Sequence, residues 1–192
     1  MKPAAFSTLT ICGLDELDGH AARGVTHVLS ILDPDWPEPE AFLAFDPHFR
    51  ATLRFHDAIE PAPGVALPQM SDVEKILAFG RDAGGIAHLL IHCHAGVSRS
   101  TAAMLMIVAQ AHPDESEDLV ADRLLAIRPQ AWPNSRMIGF ADELLGRAGR
   151  LLAAVSRIYA CRLEAQPEFG EMMRRGARGR EVDMGLTTTE AD

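Results

Sequence analysis

Between residues 89 and 112 the chain runs Leu89-Leu90-Ile91, then His92-Cys93-His94-Ala95-Gly96-Val97, then Ser98 to His112, a stretch apolar on nearly every side. A short apolar run that ends in a glycine-bearing loop reads as a buried strand, and a helix without a polar face belongs inside a core. The rest of the chain must therefore wrap a central strand, loop and helix. Further β-type runs occur at Thr8 to Cys12, Val25 to Ile31 and Thr52 to His56, and the central strand spans Ala87 to Cys93. Helical signals alternate with them at Asp15 to Arg23 and at Met70 to Phe79, the second starting after Pro68 and Ser71. Asp114 opens another helix with the core stripe Val120, Leu124 and Ile127. Asn134 or Ser135 can cap the next, whose inner face is Met137, Ile138, Ala141, Leu144 and Leu145. The pattern Leu151, Leu152, Val155, Ile158, Tyr159 carries helix to about Arg162. Strands separated by helices predict one α/β domain over residues 1–162, with a mostly parallel central sheet flanked by helices on both faces.

Composition narrows the function. The chain has 192 residues, 47% of them apolar, enough to build a core without staples. Its three cysteines, Cys12, Cys93 and Cys161, are odd in number and far apart, which points to a reducing, cytoplasmic setting rather than a disulfide framework. The net charge of −9 argues against a nucleic-acid partner, because that affinity comes from basic side chains displacing counterions. No apolar stretch approaches the length of a spanning helix, so no membrane is expected, and the leader-like stretch from Lys2 through Ala4 to Gly13 is broken by Ser7, Thr8 and Thr10. No G-x-x-x-x-G-K-[ST] is present, which excludes an NTPase phosphate loop. Residues 163–192 hold few large apolar side chains and several glycines and are expected to form a flexible tail, with Arg174, Arg175, Arg178 and Arg180 as a solvated charge run.

The chemistry concentrates in the loop. Its backbone N–H groups face one point at the positive end of the following helix, forming an anion cradle from His94, Ala95, Gly96, Val97 and Ser98. Gly96 lets the backbone bend inward where a β-carbon would obstruct. Arg99, six residues after Cys93, brings a planar fork that grips two phosphoryl oxygens. The cradle, Arg99 and the Ser100 hydroxyl are all placed to stabilise a Cys93 thiolate, and His92 can tighten the loop through its backbone. Metal chemistry fits poorly: alternation along a strand puts His92 and His94 on the side opposite Cys93, and no further ligand completes a shell, so no metal or cofactor is expected. Trp132 and Phe140 read as core residues.

The string H-C-H-A-G-V-S-R-S resembles the cysteine-dependent protein tyrosine phosphatase signature, H-C-x-x-G-x-x-R-[ST], and is most similar to that of the dual-specificity phosphatases. Weaker similarities lie at Val25 to Leu32, Leu53 to Asp57 and Arg128 to Asn134, so that residues 8 to 146 are covered. The resemblance implies a dual-specificity phosphatase-like fold and hydrolysis of a phosphomonoester, with a phosphoprotein as substrate. It implies that Cys93 attacks phosphorus, that Arg99 binds the equatorial oxygens and that Ser100 assists breakdown of the phosphocysteine. Asp57 is then the acid and base, with Glu60 as its rival. Other expectations stay open on the sequence: an inositol phosphate or phosphoinositide phosphatase, which would carry more basic residues than His94 in the loop, a non-catalytic phosphate-binding module, and a rhodanese-like sulfur transferase.

Overall fold

A computed structural model describes residues 7–82 and 88–189. Lys2 and Ala4 of the leader-like stretch, Ala87 at the head of the expected central strand and the last three residues of the expected tail lie outside the described residues. Four strands, β1 (Thr8–Cys12), β2 (His27–Leu32), β3 (Phe49–Arg54) and β4 (His88–His92), form one parallel sheet in the order β1-β4-β2-β3. Insertion of the last strand between the first two makes β4 central, and Leu89, Leu90 and Ile91 are fully buried as a strand covered on both faces requires.

Alternation along the strands sorts the core in two. Ile11, Leu29, Ile31, Leu53, Leu89 and Ile91 pack with the α-helices. Val28, Leu90 and Cys12 pack on the other face against Leu17 and Phe42, carried by two 3-10 helices at Leu14–His20 and Glu40–Ala44. Helical elements thus flank both faces, in layers of unequal depth. The helices are α1 (Met70–Asp82), α2 (Arg99–Ala111), α3 (Glu117–Ile127), α4 (Ser135–Leu144) and α5 (Arg150–Ala165). Every residue of α2 from Arg99 to Ala109 is buried, as its all-round apolar sequence predicts. Ser116 and Asn134 cap α3 and α4 by accepting from the Leu119 and Met137 N–H groups, which places the start of α3 slightly past the expected Asp114.

The expected flexible tail, 163–192, is corrected by the structure. Helix α5 continues to Ala165, and α6 (Pro167–Arg175) and α7 (Gly179–Thr189) follow it. They fold because Trp132 and Tyr159, stacked at 4.3 Å between ring centroids, need a cover, and Phe169 meets Trp132 edge-on at 5.1 Å. A glycine in this segment serves contact rather than freedom: a β-carbon on Gly185 would stand 2.9 Å from Tyr159 Cβ and 3.0 Å from the Ala160 nitrogen, so α7 lies flush on α5. Among the described residues no helix is long and apolar enough to cross a membrane.

Candidate active site

Every strand of a parallel sheet delivers its chain end to the same edge, and ligands of such sheets bind there, where the strand order reverses. Here Gly13 follows β1, Asp33 follows β2, Phe55 to Asp57 follow β3, and Cys93 follows β4. The loop 93–98 then turns into α2.

The carbonyls of His94 to Ser98 are all engaged by groups around the loop. His94 O accepts from the Leu14 N–H at 2.9 Å. Ala95 O and Gly96 O accept from the Arg128 guanidinium, itself held bidentately by Glu16 at 2.9 and 2.7 Å. Val97 O accepts from the Trp132 N–H and the Thr101 hydroxyl, and Ser98 O from Ala102, Asn134 and Thr101. Among the described residues the N–H groups of His94 to Ser98 enter no hydrogen bond, which leaves five successive donors available at the start of α2. Gly96 makes this curvature possible: its φ is +67°, and a β-carbon there would stand 2.5 Å from the Cys12 carbonyl carbon and 2.6 Å from the Gly13 nitrogen.

Cys93 is 2% exposed, and its Sγ lies 3.2 Å from Ser100 Oγ. Arg99 is buried, with Nη1 donating to Asp33 Oδ1 at 2.7 Å and to Phe55 O at 2.6 Å, while its buried Nε has no partner. The guanidinium is fixed from behind and keeps a donor for a ligand. Asp33 also presents its N–H to His94 Nε2 at 3.3 Å. Burial, reinforced by Arg99, lowers the pKa of His94, and Trp36 covers its ring at 4.4 Å. His92 lies fully buried with Nε2 at 2.7 Å from Ser30 Oγ, and burial pushes its pKa down to about 4, so it is a neutral strut under the loop. Burial and the neighbouring Glu16 push the Cys12 thiol up to about 12.

Cys93, His94, Ala95, Val97, Ser98, Arg99 and Asp57 line a pocket of about 400 Å³. Asp57 Oδ1 accepts from Ser98 Oγ at 2.8 Å, Asn134 Nδ2 at 3.0 Å and Arg178 Nη1 at 3.0 Å. Glu60, the rival acid, is not among the lining residues and pairs with Arg180 at the surface at 3.0 Å. His56 closes the base of the following loop through Ala66. Trp132 is a core residue, as expected, and also forms part of the pocket wall with Phe169, Met172 and Met173.

The structure therefore brings together Cys93, Arg99, Ser100, Asp57 and the cradle, with His92 beneath. Sequence reasoning missed Asp33, Arg128, Asn134 and above all Arg178. Expected to be solvated, Arg178 is 5% exposed and bonded to Asp57, Ser98 and Glu181. Burial alone would lower its pKa, but Asp57 and Glu181 outweigh burial and raise it. Arg174, Arg175 and Arg180 do lie at the surface, paired with Asp183, Glu171 and Glu60.

No protein-family model and no curated protein matches the sequence. Solved structures do match. Human DUSP28 is 18% identical, with 72% of this chain and 94% of that one covered at a TM-score of 0.54. The Cydia pomonella PTP-2 phosphatase is 17% identical, covering 74% and 90% at 0.55. DUSP15 is 21% identical, covering 78% and 89% at 0.51. The chain thus shares its fold with these phosphatases.

Proposed function

We propose that the protein is a phosphomonoester hydrolase that works through a cysteinyl-phosphate intermediate, with phosphorylated tyrosine, or tyrosine and serine/threonine, in proteins as substrate. The observation that carries this is the loop after Cys93, in which the carbonyls of His94 to Ser98 are all bonded to surrounding groups while their N–H groups enter no hydrogen bond among the described residues, next to Arg99 with its unpartnered Nε. The dianionic phosphoryl group sits in the cradle, and Arg99 balances charge on its equatorial oxygens without a metal. The Cys93 thiolate forms a bond to phosphorus as the bond to the leaving oxygen breaks, and Asp57 gives that oxygen a proton. Water then attacks phosphorus, Asp57 takes its proton back, and the sulfur leaves as thiolate, stabilised by the Ser100 hydroxyl.

The pocket wall of Phe169, Met172 and Met173, backed by the buried Trp132, suits an aromatic ring above the phosphate, and within the loop only His94 is basic, unlike a site for a highly charged inositol phosphate. These two features favour phosphotyrosine. A nucleophile that works only while reduced supports a reducing, cytoplasmic setting for the proposed enzyme. The test is turnover of p-nitrophenyl phosphate by the purified protein in the presence of chelator, with phosphate trapped on sulfur after a rapid acid quench. Cys93→Ser should leave no turnover; an active Cys93→Ser protein overturns the proposal.

A further inference from the structure

We propose that Arg178 is a positioning residue for Asp57, holding Oδ1 so that the transferable proton resides on Oδ2; this rests on the phosphatase reading above. Three donors converge on Oδ1: the Ser98 hydroxyl, the Asn134 amide and the Arg178 guanidinium. A carboxylate oxygen offers two lone pairs, so three donors leave it no room for a proton. The Ser98 hydroxyl is itself oriented, because its oxygen accepts from Arg178 Nη2 at 3.1 Å and its hydrogen is thereby directed at Asp57. Among the described residues no hydrogen bond engages Oδ2.

Arg178 is held from its other edge. Nε and Nη2 donate to the two oxygens of Glu181 at 2.8 Å each, and Glu181, 0% exposed, also accepts from Trp132 Nε1 at 2.6 Å and from the Ser135 N–H at 2.7 Å. Glu181 remains as counter-ion whether or not Asp57 carries its proton, so one protonation cycle at Asp57 never strands the buried guanidinium. The start of α7 thus reaches the reacting centre through Arg178, while Phe169, Met172 and Met173 of α6 form its apolar wall. The C-terminal helices belong to the catalytic unit.

The test is the dependence of rate on the leaving group. An aryl phosphate whose phenol is strongly acidic departs without a proton; one whose phenol is weakly acidic requires it. Arg178→Gln with Glu181→Gln removes the guanidinium without stranding a buried carboxylate. The kcat/KM of this protein, which reports only the steps through departure of the leaving oxygen, should fall about 100-fold on phenyl phosphate and less than about 3-fold on 2,4-dinitrophenyl phosphate. The loss on phenyl phosphate should vanish when Asp57 is already Asn, since both changes remove the same proton transfer. Equal losses on both substrates, or losses that add to those of Asp57→Asn, overturn the proposal. Arg178→Lys keeps the charge and the fold but not the two-edged grip, and must show the same leaving-group bias in smaller measure; an unbiased Lys variant also overturns it. A wild-type protein that turns over neither substrate defeats the phosphatase reading instead, so the two failures are distinct.

Discussion

Replacing Gly96 by Ala tests whether the shape of the loop, rather than its composition, makes the site. Two costs arise. At φ +67° an alanine is strained by about 1–2 kcal/mol relative to glycine. The added methyl would also stand 2.5 Å from the Cys12 carbonyl carbon and 2.6 Å from the Gly13 nitrogen, against 3.4 Å for ordinary contact, so one backbone must retreat by about 0.9 Å. The β1 side is anchored in the sheet, and the retreat falls on the loop that carries the N–H cradle. A displacement of about 1 Å at a reacting centre costs on the order of 100-fold in rate. Gly146 is the control: its φ is +65°, but nothing lies within 4 Å of a β-carbon there. Gly146→Ala should lower the melting temperature by about 2–8 °C at about 2–4 °C per kcal/mol, and leave kcat/KM unchanged. Gly96→Ala should show at least that thermal loss together with a 100-fold fall in kcat/KM and a comparable weakening of vanadate inhibition. A Gly96→Ala enzyme within about 3-fold of the Gly146→Ala enzyme would refute the claim that this seam shapes the cradle.

Two further outcomes follow from the titrating groups. His92 has a folded pKa of about 4 against about 6.5 when unfolded, so between those pH values the unfolded chain binds a proton that the folded one does not. Stability is therefore full above pH 6.5 and falls by about 3 kcal/mol as pH drops to 4; melting curves of the wild type and His92→Gln should converge as pH falls, and parallel curves would contradict it. Cys12, buried and with its thiol pushed up to about 12, should stay unmodified by iodoacetamide at pH 7.5 in the folded protein while exposed Cys161 reacts, as mass spectrometry of the peptides will show; native labelling of Cys12 would contradict the burial.

The parts of the site that sequence exposed are those in which neighbours along the chain explain one another. The strand at Leu89 to Ile91, the glycine turn and the apolar helix after it form one local unit, so that Cys93, Arg99 and Ser100 come together at the strand's end was legible along the chain. The Asn134 cap was legible for the same reason. Register at the edge was not: β3 was expected at Thr52 to His56 and lies at Phe49–Arg54, because an edge strand with its ends exposed carries no strict alternation to mark it. Asp33 and Arg128 were hidden by distance, since Asp33 meets Arg99 across 66 positions and Arg128 meets Gly96 across 32.

Arg178 was hidden by a different ambiguity, and it shows where composition misleads. Glycines among charged residues usually signal an unfolded segment, because such a sequence buries too little apolar surface to offset its lost entropy. In α6 and α7 the apolar surface being covered belongs elsewhere, to Trp132 and Tyr159, and the segment contributes only Phe169, Met173, Val182 and Met184 to meet it. Gly170 and Gly185 then permit the close approach, each with a neighbour inside 3.0 Å of where a β-carbon would stand. The two buried charges complete the arrangement: Arg178 and Glu181, three residues apart, satisfy each other on one edge and the ends of other elements on the other. A polar pair at i and i+3 reads from sequence as a solvated helix face, whereas here it is the inward face. What decides between them is whether the rest of the core leaves exposed aromatic surface that only this segment can cover, a property of the whole fold rather than of any window of residues.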